Sequence, residues 1–140
     1  MTLYTPQILA LATELANFPL ADGLTHRATT RSRTCGSVIT LGFEQDAAGR
    51  VSAVGMQVSA CAIGQASAAI MARSLMGSRA DTGLAAGQAL TEWLAGNGEL
   101  PDWPQIGLLA PALPHKGRHG ALLLPWTAAA EALSSVEPRR

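Results

Sequence analysis

Charge is scarce in this chain: Asp, Glu, Lys and Arg together make up 14% of it, and ten acidic residues offset ten basic ones. A sparse and balanced charge set gives no general drive toward nucleic acid or an anionic membrane, so any partner is to be sought through local patches. Long apolar runs are missing too. None approaches the roughly 20 residues of a membrane span, and Met1-Thr2-Leu3-Tyr4-Thr5-Pro6 has neither the basic segment nor the apolar segment of a secretory leader. The expectation is a cytoplasmic protein. Cysteine occurs twice, at Cys35 and Cys61, and two well-separated thiols in such a chain read as reduced groups rather than a disulfide staple. What the chain does have is apolar bulk, 48% of 140 residues, enough for one domain over residues 1–140 that buries about two thirds of its unfolded surface. No internal repeat or linker divides it.

Thr5 is placed to cap a helix with Pro6 in its first turn, and Ile8, Leu9, Leu11, Ala12 and Leu15 follow at helical spacing. Residues 20–34 are polar and carry His26, Arg27, Arg31 and Arg33; they read as an extended loop. Ile39, Leu41 and Phe43 then alternate with Thr40, Gly42 and Glu44. After the turn Asp46-Ala47-Ala48-Gly49, Val54, Met56 and Val58 alternate again, the pattern of a half-buried antiparallel hairpin. From Ile63 to about Leu75 the residues are small and apolar, which suits a helix lying close on a sheet, and Gly77-Ser78 stops it. Asp81 is the expected cap of a further helix with Leu84, Leu90, Trp93 and Leu94 inward, ended by Gly96-Asn97-Gly98. A Pro- and Gly-rich stretch from Pro111 to Gly120 leads to a last helix that either begins near Pro125 or bends there. The fold class is therefore α+β, a small antiparallel sheet with helices on one face.

Both cysteines lie at the edges of these elements. Cys35 stands before Gly36 at a strand start, and Cys61 opens a helix. Backbone N–H groups at such positions stabilise a thiolate, and two thiolates are half of a metal site. Cysteine otherwise behaves as a small core residue. Met56, Met71 and Met76 read as core filler, and Trp93, Trp103 and Trp126 as packing anchors.

Thr34-Cys35-Gly36-Ser37 and Cys61-Ala62-Ile63-Gly64-Gln65-Ala66-Ser67 resemble the two cysteine motifs of the U-type iron–sulfur scaffold family (IscU, the N-terminal part of NifU, SufU). Those motifs read Cys-Gly-Asp and Cys-x-Ile-x-x-Ala-Ser. The order of elements matches over most of the chain, and the distance from Cys61 to the third motif is closer to SufU than to IscU. That third motif resembles Arg118-His119-Gly120-Ala121-Leu122-Leu123-Leu124-Pro125-Trp126, with Ala121 where the family has a third cysteine; Ser37 stands where it has Asp. The chaperone motif Leu-Pro-Pro-Val-Lys is replaced by Pro114-His115-Lys116-Gly117-Arg118.

The resemblance implies a SufE/NifU-like fold and a carrier, not a turnover enzyme. It would assemble or transfer an iron–sulfur cluster, [2Fe–2S] foremost, or hold zinc, through Cys35 and Cys61. A cysteine desulfurase would donate sulfur, and apo iron–sulfur proteins would receive the cluster. His119, two residues before Ala121, is the candidate replacement ligand. Two residues apart on a helix point about 200° apart, so it reaches that space only through irregular backbone; His115 and His26 are weaker candidates. Arg31, Arg33 and Arg118 would lower thiol pKa if they converge on the site. Two other readings stay open: a zinc-dependent sulfurtransferase in which Cys35 accepts a persulfide, and a cluster-free regulatory module that docks on a desulfurase. Oligomeric state is open.

Overall fold

The computed structural model describes residues 3–33 and 36–134; Cys35 lies outside the described residues. The first helix, α1 (Pro6–Thr13), begins as expected: Thr5 accepts from the Ile8 N–H at 3.2 Å and Pro6 occupies the first position, where its missing N–H costs nothing. A 3-10 turn (Glu14–Asn17) carries the chain to Phe18 and Pro19.

Three antiparallel strands follow, β1 (His26–Arg31), β2 (Val38–Gln45) and β3 (Val51–Ser59), in the spatial order β1-β2-β3. The expected hairpin is β2–β3, with Leu41 opposite Met56 and Ile39 opposite Val58. Asp46 shapes its turn by accepting from the N–H groups of Ala48 and Arg50. Ile39, Leu41 and Phe43 are at most 1% exposed, as alternation requires. The outer edge of β3 is covered by bridges from Pro19 to Met56 and from Met76 to Val51.

β1 corrects the expected loop. His26, Ala28 and Thr30 alternate with the exposed Arg27, Thr29 and Arg31, so the period is two, but the inward set is mostly polar and gives no hydrophobic signal. Tertiary contacts make that set tolerable. His26 stacks on Phe43 with ring centroids 4.6 Å apart and meets the Gln45 amide at 3.0 Å, while the Thr30 hydroxyl donates to the Glu131 carboxylate.

The helices α2 (Ala62–Leu75), α3 (Ala80–Leu94) and α4 (His119–Ser134) pack with α1 over the sheet, giving the α+β architecture. One boundary differs from expectation. Arg79, not Asp81, caps α3; Asp81 sits in its first turn beside the Arg79 guanidinium, where a carboxylate favours the positive end of the helix dipole. Of the two expected arrangements at Pro125, the structure rules out a helix that starts there: α4 runs through it. Pro125 has no N–H to donate to the Ala121 carbonyl, so one bond of the ladder is missing there.

Small residues let α2 and α4 approach closely. Ser67, fully buried, donates to the Leu122 carbonyl at 2.6 Å and accepts from Trp126 Nε1 at 2.9 Å. Trp126 meets Trp103 edge-on at 5.1 Å, and Trp103 Nε1 donates to the Ile70 carbonyl at 2.9 Å. Ser67→Ala strands the buried Trp126 N–H and is expected to cost about 1–3 kcal/mol in denaturant titration.

Candidate functional site

The Val38–Ser59 pairing closes the β2–β3 ladder at one end of the sheet. From that end Gly36-Ser37 enters β2, and Ala60 and Cys61 leave β3 toward α2. Gly36 has φ +73°, the left-handed region that favours glycine, with nothing within 4 Å of where a Cβ would lie. Its role is therefore conformational. Ser37 is buried, and its carbonyl accepts from the Ser32 N–H at 2.8 Å, which ties the two ends of the 32–37 segment together.

Cys61 is the cap residue of α2, with φ −66° and ψ 170°, is half-buried, and is a free thiol. The chain ends its strand at Ser59 and turns here because Gln65 reaches back: its side-chain amide donates to the Ala60 carbonyl at 2.8 Å, and its N–H to the Cys61 carbonyl at 3.0 Å. The Cys61 side chain makes no cap hydrogen bond to the N–H groups of the first turn of α2. Those N–H groups and the helix dipole give the cap position a positive field that suits a sulfur anion or an anionic sulfur-bridged group.

Ala121, 1% exposed, lies against the same turn. A Cβ built on Gly64, three residues into the motif from Cys61, would stand 3.3 Å from the Ala121 Cβ and 3.2 Å from its carbonyl oxygen. The structure thus brings position 121 to the Cys61 end of α2. Gly64 and Gln65 were not singled out from sequence; the smallness of Gly64 within an Ala/Ser-rich helix was the available signal.

His119 stands at the start of α4 with its Nε2 2.8 Å from the Leu113 carbonyl and 3.3 Å from that of Ala112. Carbonyls accept only from an N–H, so Nε2 is the donor in both contacts. The ring fastens the preceding 3-10 segment (Ile106–Ala112) to α4. His26 belongs to the core and His115 is exposed. Arg118 reaches over the Tyr4 ring, 6.0 Å from its centroid, while Arg31, the last residue of β1, and Arg33 after it are exposed. Among the described residues no three of His, Cys, Asp and Glu gather as a metal set.

No protein-family model and no curated protein matches the chain. Solved structures do. The N-terminal NifU-like protein of Brucella abortus is similar at TM-score 0.87 and 31% identity, over 94% of this chain and 92% of that one. A protein assigned as the iron–sulfur cluster assembly scaffold of the SUF system in Fervidobacterium islandicum AW-1 is similar in fold at TM-score 0.85 and 21% identity, over 94% and 96%. A hypothetical protein shares the fold at TM-score 0.74 and 24% identity, over 91% and 97%. The identity and near-complete mutual coverage with the first of these, joined to a cysteine-capped helix docked on a three-stranded sheet, establish that this chain belongs to the NifU-like, U-type iron–sulfur scaffold family.

Proposed function

We propose that this protein is an iron–sulfur cluster assembly scaffold or carrier that binds its cargo through Cys61 and Cys35 and works as a single unit. The observation that carries the reading is Cys61 at the uncapped start of α2, beside the end of β2 from which Gly36 and Ser37 lead back toward Cys35. Each iron of a [2Fe–2S] unit needs two terminal ligands besides its sulfides. Two thiolates supply half of them, and the rest would come from His119 Nδ1, from a second copy, or from a small thiol. Family membership supports a cysteine desulfurase as sulfur donor and apo iron–sulfur proteins as recipients. No described helix is long and apolar enough to cross a membrane. The proposed role is cargo handling in the cytoplasm rather than turnover.

Ala121 and the engaged Nε2 of His119 favour one second reading, a module that docks on a desulfurase without cargo. Anaerobic reconstitution with iron and sulfide separates the two: a carrier develops charge-transfer absorption, whereas a docking module binds the desulfurase and stays colourless. Stoichiometric zinc with stimulated desulfurase turnover identifies the sulfurtransferase instead. Ala121→Cys adds a soft donor against the first turn of α2 and is expected to raise zinc or cluster retention at least tenfold in a chelator challenge. An intact fold with no gain would count against metal binding at this end of the molecule.

A further inference from the structure

We propose that the crease between α3 and α4 is a docking groove for a basic amphipathic helix of a partner protein, independently of any cargo held at Cys61. α3 lines it with Leu84, Gly87, Gln88 and Thr91, and α4 lines it with four residues at the same i, i+3, i+4, i+7 spacing, from Leu123 to Ala130. Such spacing marks a single face of a helix. On α3 this face lies beside the stripe that buries Ala86, Leu90 and Trp93 in the core, and Leu84 and Leu123 stay half-buried. Gly87 forms the floor: a Cβ there would stand 3.0 Å from the Trp126 Cβ. The Thr91 hydroxyl is satisfied within α3, donating to the Gly87 carbonyl at 3.0 Å. The crease holds about 200 Å³, below the roughly 300–1,000 Å³ of small-molecule sites. Its length is about two helical turns, roughly 10 Å. Those dimensions suit a few apolar side chains presented a turn apart, as when a helix lays its apolar face into a groove.

Charge on the banks selects the partner. From residue 80 to residue 115 the chain has Asp81, Glu92, Glu99 and Asp102 but neither Lys nor Arg, and α4 has Glu131 and neither. Asp81, Gln88 and Glu92 are seven and four residues apart, which sets them in one row along the α3 bank, while Glu131 follows Thr127 by four on the α4 bank. All of these side chains are exposed. Arg79 offsets Asp81 at 3.4 Å, and Glu131 accepts from the Thr30 hydroxyl without losing its charge. Glu92 makes neither an ion pair nor a side-chain hydrogen bond among the described residues. A second copy placing its own crease here would set acidic banks against each other, and an anionic lipid surface would meet the same repulsion. A helix with an apolar stripe flanked by Lys or Arg instead fills the crease and faces carboxylates on both banks.

The test uses the full chain and a synthetic helix of about five turns, with Leu at alternating spacings of three and four and Lys and Ala elsewhere, followed by calorimetry and by amide chemical shifts. Saturable binding that moves the Gln88 and Thr127 amide signals is expected. Thr127→Arg, which puts bulk and positive charge at the exposed mouth, should weaken it about tenfold with an unchanged melting curve, and Glu92→Gln about two- to threefold. A peptide of the same composition with the Leu spacing scrambled should not bind. Equal binding of the scrambled peptide would reduce the effect to charge attraction and overturn the groove, as would absence of saturable binding or full affinity in Thr127→Arg. Dimerisation of the chain that the peptide displaces would assign the crease to a second copy, and co-sedimentation with phosphatidylglycerol vesicles that the peptide displaces would assign it to lipid; either overturns the proposed partner.

Discussion

Cys61→Ser is expected to abolish cluster retention after anaerobic reconstitution while leaving the fold as stable as before, or more so. The serine hydroxyl stays protonated near neutral pH and is a poor donor to iron, so a two-thiol site has nothing to replace the lost sulfur. Stability is governed by a different property of the same position. Cys61 caps α2 without a side-chain hydrogen bond, and serine is among the preferred cap residues, so its oxygen can take one of the unsatisfied first-turn N–H groups for a gain of up to about 1 kcal/mol. Opposite signs for cargo and for stability exclude unfolding as the cause of the loss. Cys35→Ser should lose the chromophore equally. Absorption at wild-type stoichiometry in either variant would show that the thiol is not a ligand.

Gly55→Val should cost about 3 kcal/mol or more and lower the melting temperature by roughly 10 °C, the largest stability effect expected of a single side chain added to the sheet. A Cβ at Gly55 would lie 2.2 Å from the Pro19 carbonyl oxygen and 2.9 Å from its carbon. Those are backbone atoms and cannot swing aside. They are also held in place, because the Met56 N–H donates to the Phe18 carbonyl at 2.9 Å and Pro19 bridges Met56. The added side chain must push this segment off the edge of β3 and lose the hydrogen bond with it. Gly107→Ala is the control, since nothing lies within 4 Å of its Cβ position; its melting curve should overlay the wild type. A Gly55→Val protein that melts with the wild type would mean the 18–20 segment is not held on β3.

The sequence by itself determined what depends on neighbours along the chain. Thr5-Pro6 sets a helix start because cap and first turn are local, and Ile39, Leu41 and Phe43 declare a strand because a period of two separates their faces. Cys61 ahead of a small-residue helix marked the sulfur position for the same reason, and the matching motifs carried the family. Tertiary structure decided the rest. β1 is a strand because Phe43 and Glu131 satisfy His26 and Thr30 from elsewhere in the chain, which no pattern within residues 20–34 encodes. The Asp81 cap failed because an Asp is also favoured inside the first turn by the helix dipole, and the structure places it there with Ala80 buried as the first helical residue. Position 121 was matched to the Cys61 motif only through the family resemblance; its placement against the first turn of α2 follows from Gly64 admitting the backbone of α4 and from Ser67 and Trp126 holding it there. Local hydrogen bonding and periodicity write elements into sequence, but contacts between residues far apart are selected only when the elements close on one another.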